Sequence, residues 1–528
     1  MAEDANIIYK QLFKNTMKKI FAIVLGSLAM TSVKAQDITD ALHFAQTDIN
    51  GTARYKAMSG AFGALGGDFS SLNVNPAGSS IFANNQVGFT LGNYNIKNNS
   101  NYFGKNTSQS NNSFDLNQAG AVFVFNNDDE KSDWKKFGLA VNYENSRNLD
   151  NSLFSAGTNA NNSVDNYFLS YANGVAFGNL SSYNFGDLYF NEQQAYLGYN
   201  SYIIDPNDST NPNNTGYYTN VGVPNTVGAP GNYYQENRIK STGYNSKLAF
   251  NISGQYTDKW YFGLNLNSHF LDYRQSNSFF ETNSNPKYVT GSTVNAIRFN
   301  NDLYTYGSGF SLQLGTIYKP AKEVRLGVAY ESSTWYRLTD ELTQRVVTSG
   351  YGLNSTQDNT QYNTNIVTDP NVTTIFQPYK LKTPSKLTGS FAYLFGKRGL
   401  LSIDYAVKDY SNTKYKPKND FTSTNSTISN LLTSSSEVRV GGEYKIKKIS
   451  LRGGYRWEQS PYKDGKTIGD LTGYSGGLGF NFGTTKLDLA YSYAKRDYNQ
   501  QFFSQGLTDA ARIKSVNNNV SLTLLFEL

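Results

Sequence analysis

Residues 477–494 read GLGFNFGTTKLDLAYSYA. Leu478, Phe480 and Phe482 alternate with Gly477, Gly479 and Asn481. After Gly483-Thr484-Thr485, Leu487, Leu489, Tyr491 and Tyr493 alternate with Asp488, Ala490, Ser492 and Ala494. A period of two sends successive side chains to opposite faces of a strand. Three residues between two such runs make a tight hairpin. The stretch therefore predicts a β-hairpin with one apolar face and one small or polar face.

The same unit recurs along the chain, near 118–126 with 137–143, 248–252 with 262–270, 310–314 with 324–330, 387–395 with 401–407, and 438–446 with 449–457. A single strand begins at Val87, and another closes the chain through Val520, Leu522, Leu524, Phe526 and Leu528. One strand, six hairpins and one strand make fourteen. Their tight turns alternate with long connections over roughly 98–116, 149–238, 276–298, 347–377, 416–434, 460–472 and 499–512, rich in Asn, Ser, Thr, Gly and Tyr. Short turns at one end, long loops at the other and an even strand count predict an all-β fold, a 14-stranded antiparallel transmembrane β-barrel. A soluble secreted β-protein is the alternative. Against it, charge falls almost wholly on one face, at Glu144, Lys247, His269, Arg325, Asp404, Arg439, Glu443, Arg452 and Arg456. That face is expected to line the lumen.

Composition agrees with a barrel. Of 528 residues, 40 are Tyr, 33 Phe and 46 Gly, which suits strands and turns. The net charge of +6 comes with no basic block, so nucleic acid has little support as a partner. Without cysteine there is no thiol catalysis or thiolate metal site. With two histidines and no G-x-S-x-G context, a hydrolase reading has no anchor, and no enzyme activity is expected. MKKIFAIVLGSLAMTSVKAQ (17–36) reads as a secretory signal peptide, which makes 1–35 a leader with its true start at Met17. An uncleaved N-terminal helix is the other reading. Residues 36–86 lack alternation and precede the barrel of 87–528. Fourteen strands enclose space, and this segment is the candidate to fill it as a hatch.

The hatch carries a motif. Residues 53–78 read ARYKAMSGAFGALGGDFSSLNVNPAG, and Met58, Gly60, Ala61, Phe62, Ala64, Asn75, Pro76, Ala77 and Gly78 carry a resemblance to the FadL/TodX outer-membrane transporters of long-chain fatty acids and hydrophobic compounds. LRGGYRWEQSPYKD (451–464) and TPSKLTGSFAYLF (383–395) are similar to further stretches of that family. Ser59 departs from the family's usual Gly. The Asn- and Tyr-rich loops resemble a Bacteroidetes-type branch, some of whose members are labelled haem receptors and others serve in secretion machinery. The resemblance implies uptake: a ligand docks on outer loops, enters a lumenal pocket, and leaves after hatch movement, sideways into the bilayer. It implies Gly60, Phe62, Asn75, Pro76, Ala77 and Gly78 as gating residues. Expected partners are a fatty-acid-like ligand or detergent, outer-membrane lipid and lipopolysaccharide, and the barrel-assembly machinery. The alternative, a non-transporting barrel, would instead join the subunits of a secretion complex.

Two groups are candidate ligand contacts. Val164, Tyr167, Phe168, Tyr171, Ala172 and Val175 have helical spacing, and either cover a greasy docking groove or pack the largest loop down. With Lys447-Lys448 as a turn, Glu443 falls opposite Arg452 and Arg439 opposite Arg456. Like charges directly opposite are destabilising. Either Glu437 and Glu458 relieve them within an internal charge ladder, or an anion does, from the hatch (Asp68) or from a ligand. His43 and His269 are the only histidines, and a haem ligand among them is the weaker reading. No cofactor is expected.

Overall fold

The structure, a computed structural model, describes residues 36–223 and 231–528. The expected leader of 1–35 lies outside the described residues. The wall begins with β1 (Gln86–Tyr102), β2 (Lys105–Asn126) and β3 (Trp134–Asn148). After a long excursion come β4 (Tyr233–Tyr256), β5 (Trp260–Thr282), β6 (Thr293–Tyr318) and β7 (Val324–Glu331). Next are β8 (Lys386–Phe395), β9 (Gly399–Asp409), β10 (Ser434–Ile446) and β11 (Ile449–Glu458). The wall ends with β12 (Ile468–Asn481), β13 (Thr485–Gln501) and β14 (Ala510–Glu527). Each strand is antiparallel to the next, and β14 returns to β1 with Glu527 opposite Gln86. The result is a closed antiparallel barrel of 14 strands, which leaves no sheet edge.

The two faces differ as the alternation requires. Phe250, Ile252, Phe262, Leu266, Phe270, Leu312 and Leu314 stand exposed on the outside. So many adjacent apolar side chains suit hydrocarbon rather than water. At the short-turn rim Trp260 stacks on Tyr318 at 4.3 Å, with Phe262 and Trp134 alongside. This is the aromatic girdle of a membrane interface. No described helix is long and apolar enough to cross a membrane.

Several expected loops are strand. β1 and β2 run on to a two-residue turn at Phe103-Gly104, so 98–116 is a hairpin. β5, β6, β13 and β14 likewise extend beyond the apolar band, and Trp335–Tyr351 continues β7 upward beside β6. Above the band both faces meet polar surroundings, so alternation disappears while the backbone ladder persists.

The lumen is filled from below by residues 36–85. α1 (Ile38–Ala45), capped by Asp37, lies highest, among Tyr273, Tyr336, Tyr379 and Tyr415. α2 (Ala53–Ala57) and two 3-10 turns, Phe69–Asn73 and Pro76–Ile81, form a compact plug that ends at β1. The expected hatch thus lies inside the wall, ahead of the first strand.

The excursion between β3 and β4 closes the mouth. Asn151–Asn159 pairs with the upper half of β4. α3 (Asp165–Ala172), α4 (Phe177–Ser182) and α5 (Phe190–Asn200) fold over the opening around one aromatic core. The wall has one seam. Backbone pairing of β2 with β3 stops at Gln118–Glu144, next to a bulge at Asn117 where β1 shifts register. Above it the bonds that cross are made by side chains: Asn145 Nδ2 donates to Asp115 at 2.6 Å, and Asn98 Nδ2 to Asn151 at 2.7 Å and to the Ser152 carbonyl at 2.8 Å.

Candidate functional site

The plug is held by a wall shaped for it. Lumen-facing glycines mark its track: a Cβ on Gly263 would stand 2.2 Å from the Pro76 carbonyl carbon, and one on Gly327 2.3 Å from the Gly63 oxygen. Gly441 and Gly454 abut Met58 in the same way. A strand glycine often marks close approach of another backbone. Polar wall residues then satisfy backbone groups that the short plug turns leave open. The Asp404 carboxylate accepts from the N–H groups of Phe62 (3.0 Å) and Gly63 (3.1 Å). Gln313 Nε2 donates to the Val74 carbonyl at 3.0 Å, and Arg325 to that of Leu65 at 2.6 Å.

The gating candidates all lie in this seat. Gly60 has φ +75°, its carbonyl accepts from Arg439 at 3.1 Å, and a Cβ there would meet the Tyr55 hydroxyl at 2.9 Å. Phe62 is fully buried against Tyr55, with the Arg54 guanidinium over its ring at 5.1 Å. Asn75 does the most. Its Oδ1 caps the Ala77 N–H, and its Nδ2 donates to Gly63 at 2.7 Å and to Thr316 of β6 at 2.9 Å. The Pro76 carbonyl accepts from Asn251 at 2.9 Å. Ala77 packs on Tyr261 and Ile317. Gly78 faces Gly66 so closely that a Cβ would lie 3.0 Å from its Cα. The Asn-Pro-Ala-Gly turn is thus a 3-10 turn pressed into the wall between β4 and β6. Asn75→Ala is expected to raise the barrel's ion conductance several-fold while costing assembly about 1–3 kcal/mol. Pro76→Ala, which keeps the carbonyl contact, should change conductance less. Single-channel recording and heat-modifiable gel mobility read both.

The arginines lie one layer further round. The predicted register holds: Glu443 opposes Arg452, and Arg439 opposes Arg456. The side chains of all four are buried. Arg452 pairs with Glu443 (2.7 Å) and Asp488 (2.6 Å), and Arg54 of the plug reaches Glu443 at 2.9 Å. Between Arg439 and Arg456 stands Glu437, at 3.4 and 3.3 Å. Asp68 lies elsewhere, accepting from Thr52 at 2.7 Å and from the Ser70 N–H. The ladder reading therefore describes this arrangement, with every arginine facing a protein carboxylate.

Tyr167 and Phe168 of α3 are core. Phe168 packs on Phe299 at 5.3 Å, Tyr167 on Phe503 at 4.7 Å and on Tyr171 at 5.0 Å. The stripe packs the cap onto the barrel mouth. Beneath it Glu281, on the upper end of β5, accepts from Ser163 and from the Val164 N–H, and burial raises its carboxyl to about 7. His269 meets Ser311 at 2.9 Å and His43 lies against Tyr273 at 4.7 Å. Among the described residues no cluster of side chains could hold a metal ion.

Sequence reading missed one feature. A cavity of about 70 Å³ separates the plug from β1 and β11–β14. Asn50, Lys56, Tyr94, Ile96, Arg456 and Leu471 line it. Lys56 is 1% exposed, its ammonium lies 5.0 Å over the Tyr94 ring, and no hydrogen-bond partner reaches it. Burial lowers it to about 8, against the pull of Asp48 and Glu144. A charged group this deep without a partner is costly. One lysine in a five-residue helix gave no signal; its isolation is a property of the fold.

No family model and no curated protein matches the chain. Among solved structures, a FadL homologue of Pseudomonas aeruginosa superposes with a TM-score of 0.49 at 13% identity, covering 91% of this chain and 99% of that one. The toluene transporter TodX of P. putida gives 0.49 at 14% identity, again over 91% and 99%. The toluene transporter TbuX of Ralstonia pickettii gives 0.45 at 14%, over 91% and 99%. Likeness this remote leaves the question of cargo to the chain's own side chains.

Proposed function

We propose that the protein is an outer-membrane transport protein that takes up hydrophobic molecules with an anionic head, long-chain fatty acids being the class that fits. The cavity carries this reading. It combines apolar walls with a few polar groups, as small-molecule sites do. Lys56 offers an unpaired ammonium to a carboxylate, while Ile96, Leu471 and Tyr94 offer surface to a chain. The ligand would arrive past the cap and leave through the seam between β2 and β3, beside the exposed Phe114 and Leu116. The plug must shift for passage, because its hydrogen bonds to the wall close the lower lumen.

Lys56→Met is expected to reduce fatty-acid uptake by proteoliposomes about tenfold and leave uptake of the methyl ester unchanged. Only the ammonium form attracts the carboxylate, so fatty-acid binding should weaken as pH rises through about 8. Equal loss for acid and ester would remove Lys56 from recognition. The density of wall-to-plug bonds favours a second reading, a non-transporting barrel in a secretion complex. Absence of uptake, with stoichiometric protein partners on purification from native membranes, would select it.

A further inference from the structure

Above the apolar band of β7–β9, the short strand Tyr379–Lys382 lies between Trp335–Tyr351 and the short strand Lys414–Lys416 in an unusual register. Trp335 lies opposite Lys382, and Lys382 opposite Lys414; two residues higher, Arg337 lies opposite Lys380, and Lys380 opposite Lys416. The residues between them, Tyr336, Tyr379, Leu381 and Tyr415, are buried in the lumen. Alternation therefore sends all five cations outward. Arg337, Lys380 and Lys416 are exposed, and Lys382 and Lys414 partly so.

Cross-strand neighbours stand about 5 Å apart, where like charges repel. Elsewhere the wall answers each such contact with a carboxylate, as Glu437 does. Here it does not. No ion pair among the described residues includes any of the five. The nearby carboxylates are engaged: Asp409 accepts from Ser411 and Asn412, and Glu341 from the Tyr306 hydroxyl.

Height identifies the missing anion. Trp335 and its neighbour Phe310 are exposed and mark the upper edge of the apolar band. The cations begin at that edge, on the long-loop side, at the depth of lipid headgroups. We propose that this patch is a docking site for the phosphate groups of outer-leaflet lipid. Trp335 lies against the acyl boundary, and Arg337, Lys380 and Lys416 bind phosphate oxygens above it. Arginine and lysine are the side chains that recognise phosphate, and each basic residue at an anionic surface adds to binding. The inference rests on the barrel spanning a membrane, but not on what it transports.

The test uses full-length protein in phosphatidylcholine vesicles doped with phosphorylated lipid A. Wild type should retain lipid A through extraction, read by native mass spectrometry. A variant with Arg337→Gln, Lys380→Gln and Lys416→Gln should retain at least about tenfold less. In neutral detergent the same variant should resist heating better than wild type, because the repulsion is gone, and lose that advantage when lipid A is added. The charge-keeping variant with Arg337→Lys, Lys380→Arg and Lys416→Arg should retain lipid A as wild type does. Equal retention by wild type and the glutamine variant, or wild-type retention indifferent to salt, overturns the inference alone. A wild-type chain that does not insert into vesicles overturns the membrane reading with it.

Discussion

Replacement of Gly263 by valine is expected to open the barrel without dismantling it. The Cβ at this position would lie 2.2 Å from the Pro76 carbon, 2.3 Å from its oxygen and 2.4 Å from the Ala77 nitrogen. All three are backbone atoms, so no rotamer can clear the contact and the turn must retreat. Overpacking costs about 1–3 kcal/mol. Retreat also breaks the bonds from Asn251 to Pro76 (2.9 Å), from Asn75 to Thr316 (2.9 Å) and from Asn265 to Leu72 (2.8 Å), at about 1 kcal/mol each. The wall itself loses nothing, since valine favours a strand and the ladder of β5 runs through the backbone. Ion conductance in planar bilayers should rise about tenfold while heat-modifiable mobility is kept. Gly389 supplies the control, because a Cβ there meets nothing within 4 Å; Gly389→Val should conduct as wild type. An assembled Gly263→Val barrel with unchanged conductance would show that the seal lies elsewhere.

What the sequence disclosed follows from where water is absent. Within the apolar band, hydrocarbon outside and plug inside impose opposite demands on successive residues, so Leu478–Tyr493 and its counterparts announce fourteen strands. Above the band that contrast ends. Lys97–Asn101 and Ser108–Ser113 are polar on both faces, and nothing in their order separates a strand from a loop. The hatch was legible as a segment, but its seat was not. Gly263, Gly327, Gly441 and Gly454 fall on the small-residue face as expected, yet only the folded wall shows that they trace one path round the plug. Smallness on the lumen face of several strands is the signal that could have suggested it. The pairing of Arg439 with Arg456 was legible because a two-residue turn fixes every pair above it. The answer to that pairing was not, because it depends on how far a glutamate side chain reaches.

That answer makes Glu437 the residue whose charge the wall can least spare. Its carboxylate stands 3.1 Å from Lys386, 3.4 Å from Arg439 and 3.3 Å from Arg456. Arg439 is 2% exposed and Arg456 7%. Glu437→Gln removes the negative charge and keeps the shape, leaving the two guanidinium groups opposed in a buried site. Glu458 cannot serve both, since it already holds Arg456 at 2.6 Å and Arg496 at 3.1 Å. Removing one partner of a buried ionic group costs about 3–5 kcal/mol, which should appear as a lower urea midpoint for unfolding in detergent or lipid. Glu443→Gln makes the comparison. Arg452 there retains Asp488 at 2.6 Å, and Arg54, which also loses Glu443, is partly exposed, so the loss should be clearly smaller. Because the lost element is charge, a small permeant anion should recover part of the stability of Glu437→Gln, and an uncharged solute should not. Wild-type stability in Glu437→Gln would mean that the arginines are balanced from outside the wall, and the anion that an unrelieved Arg439–Arg456 pair demands would then have to come from the cargo.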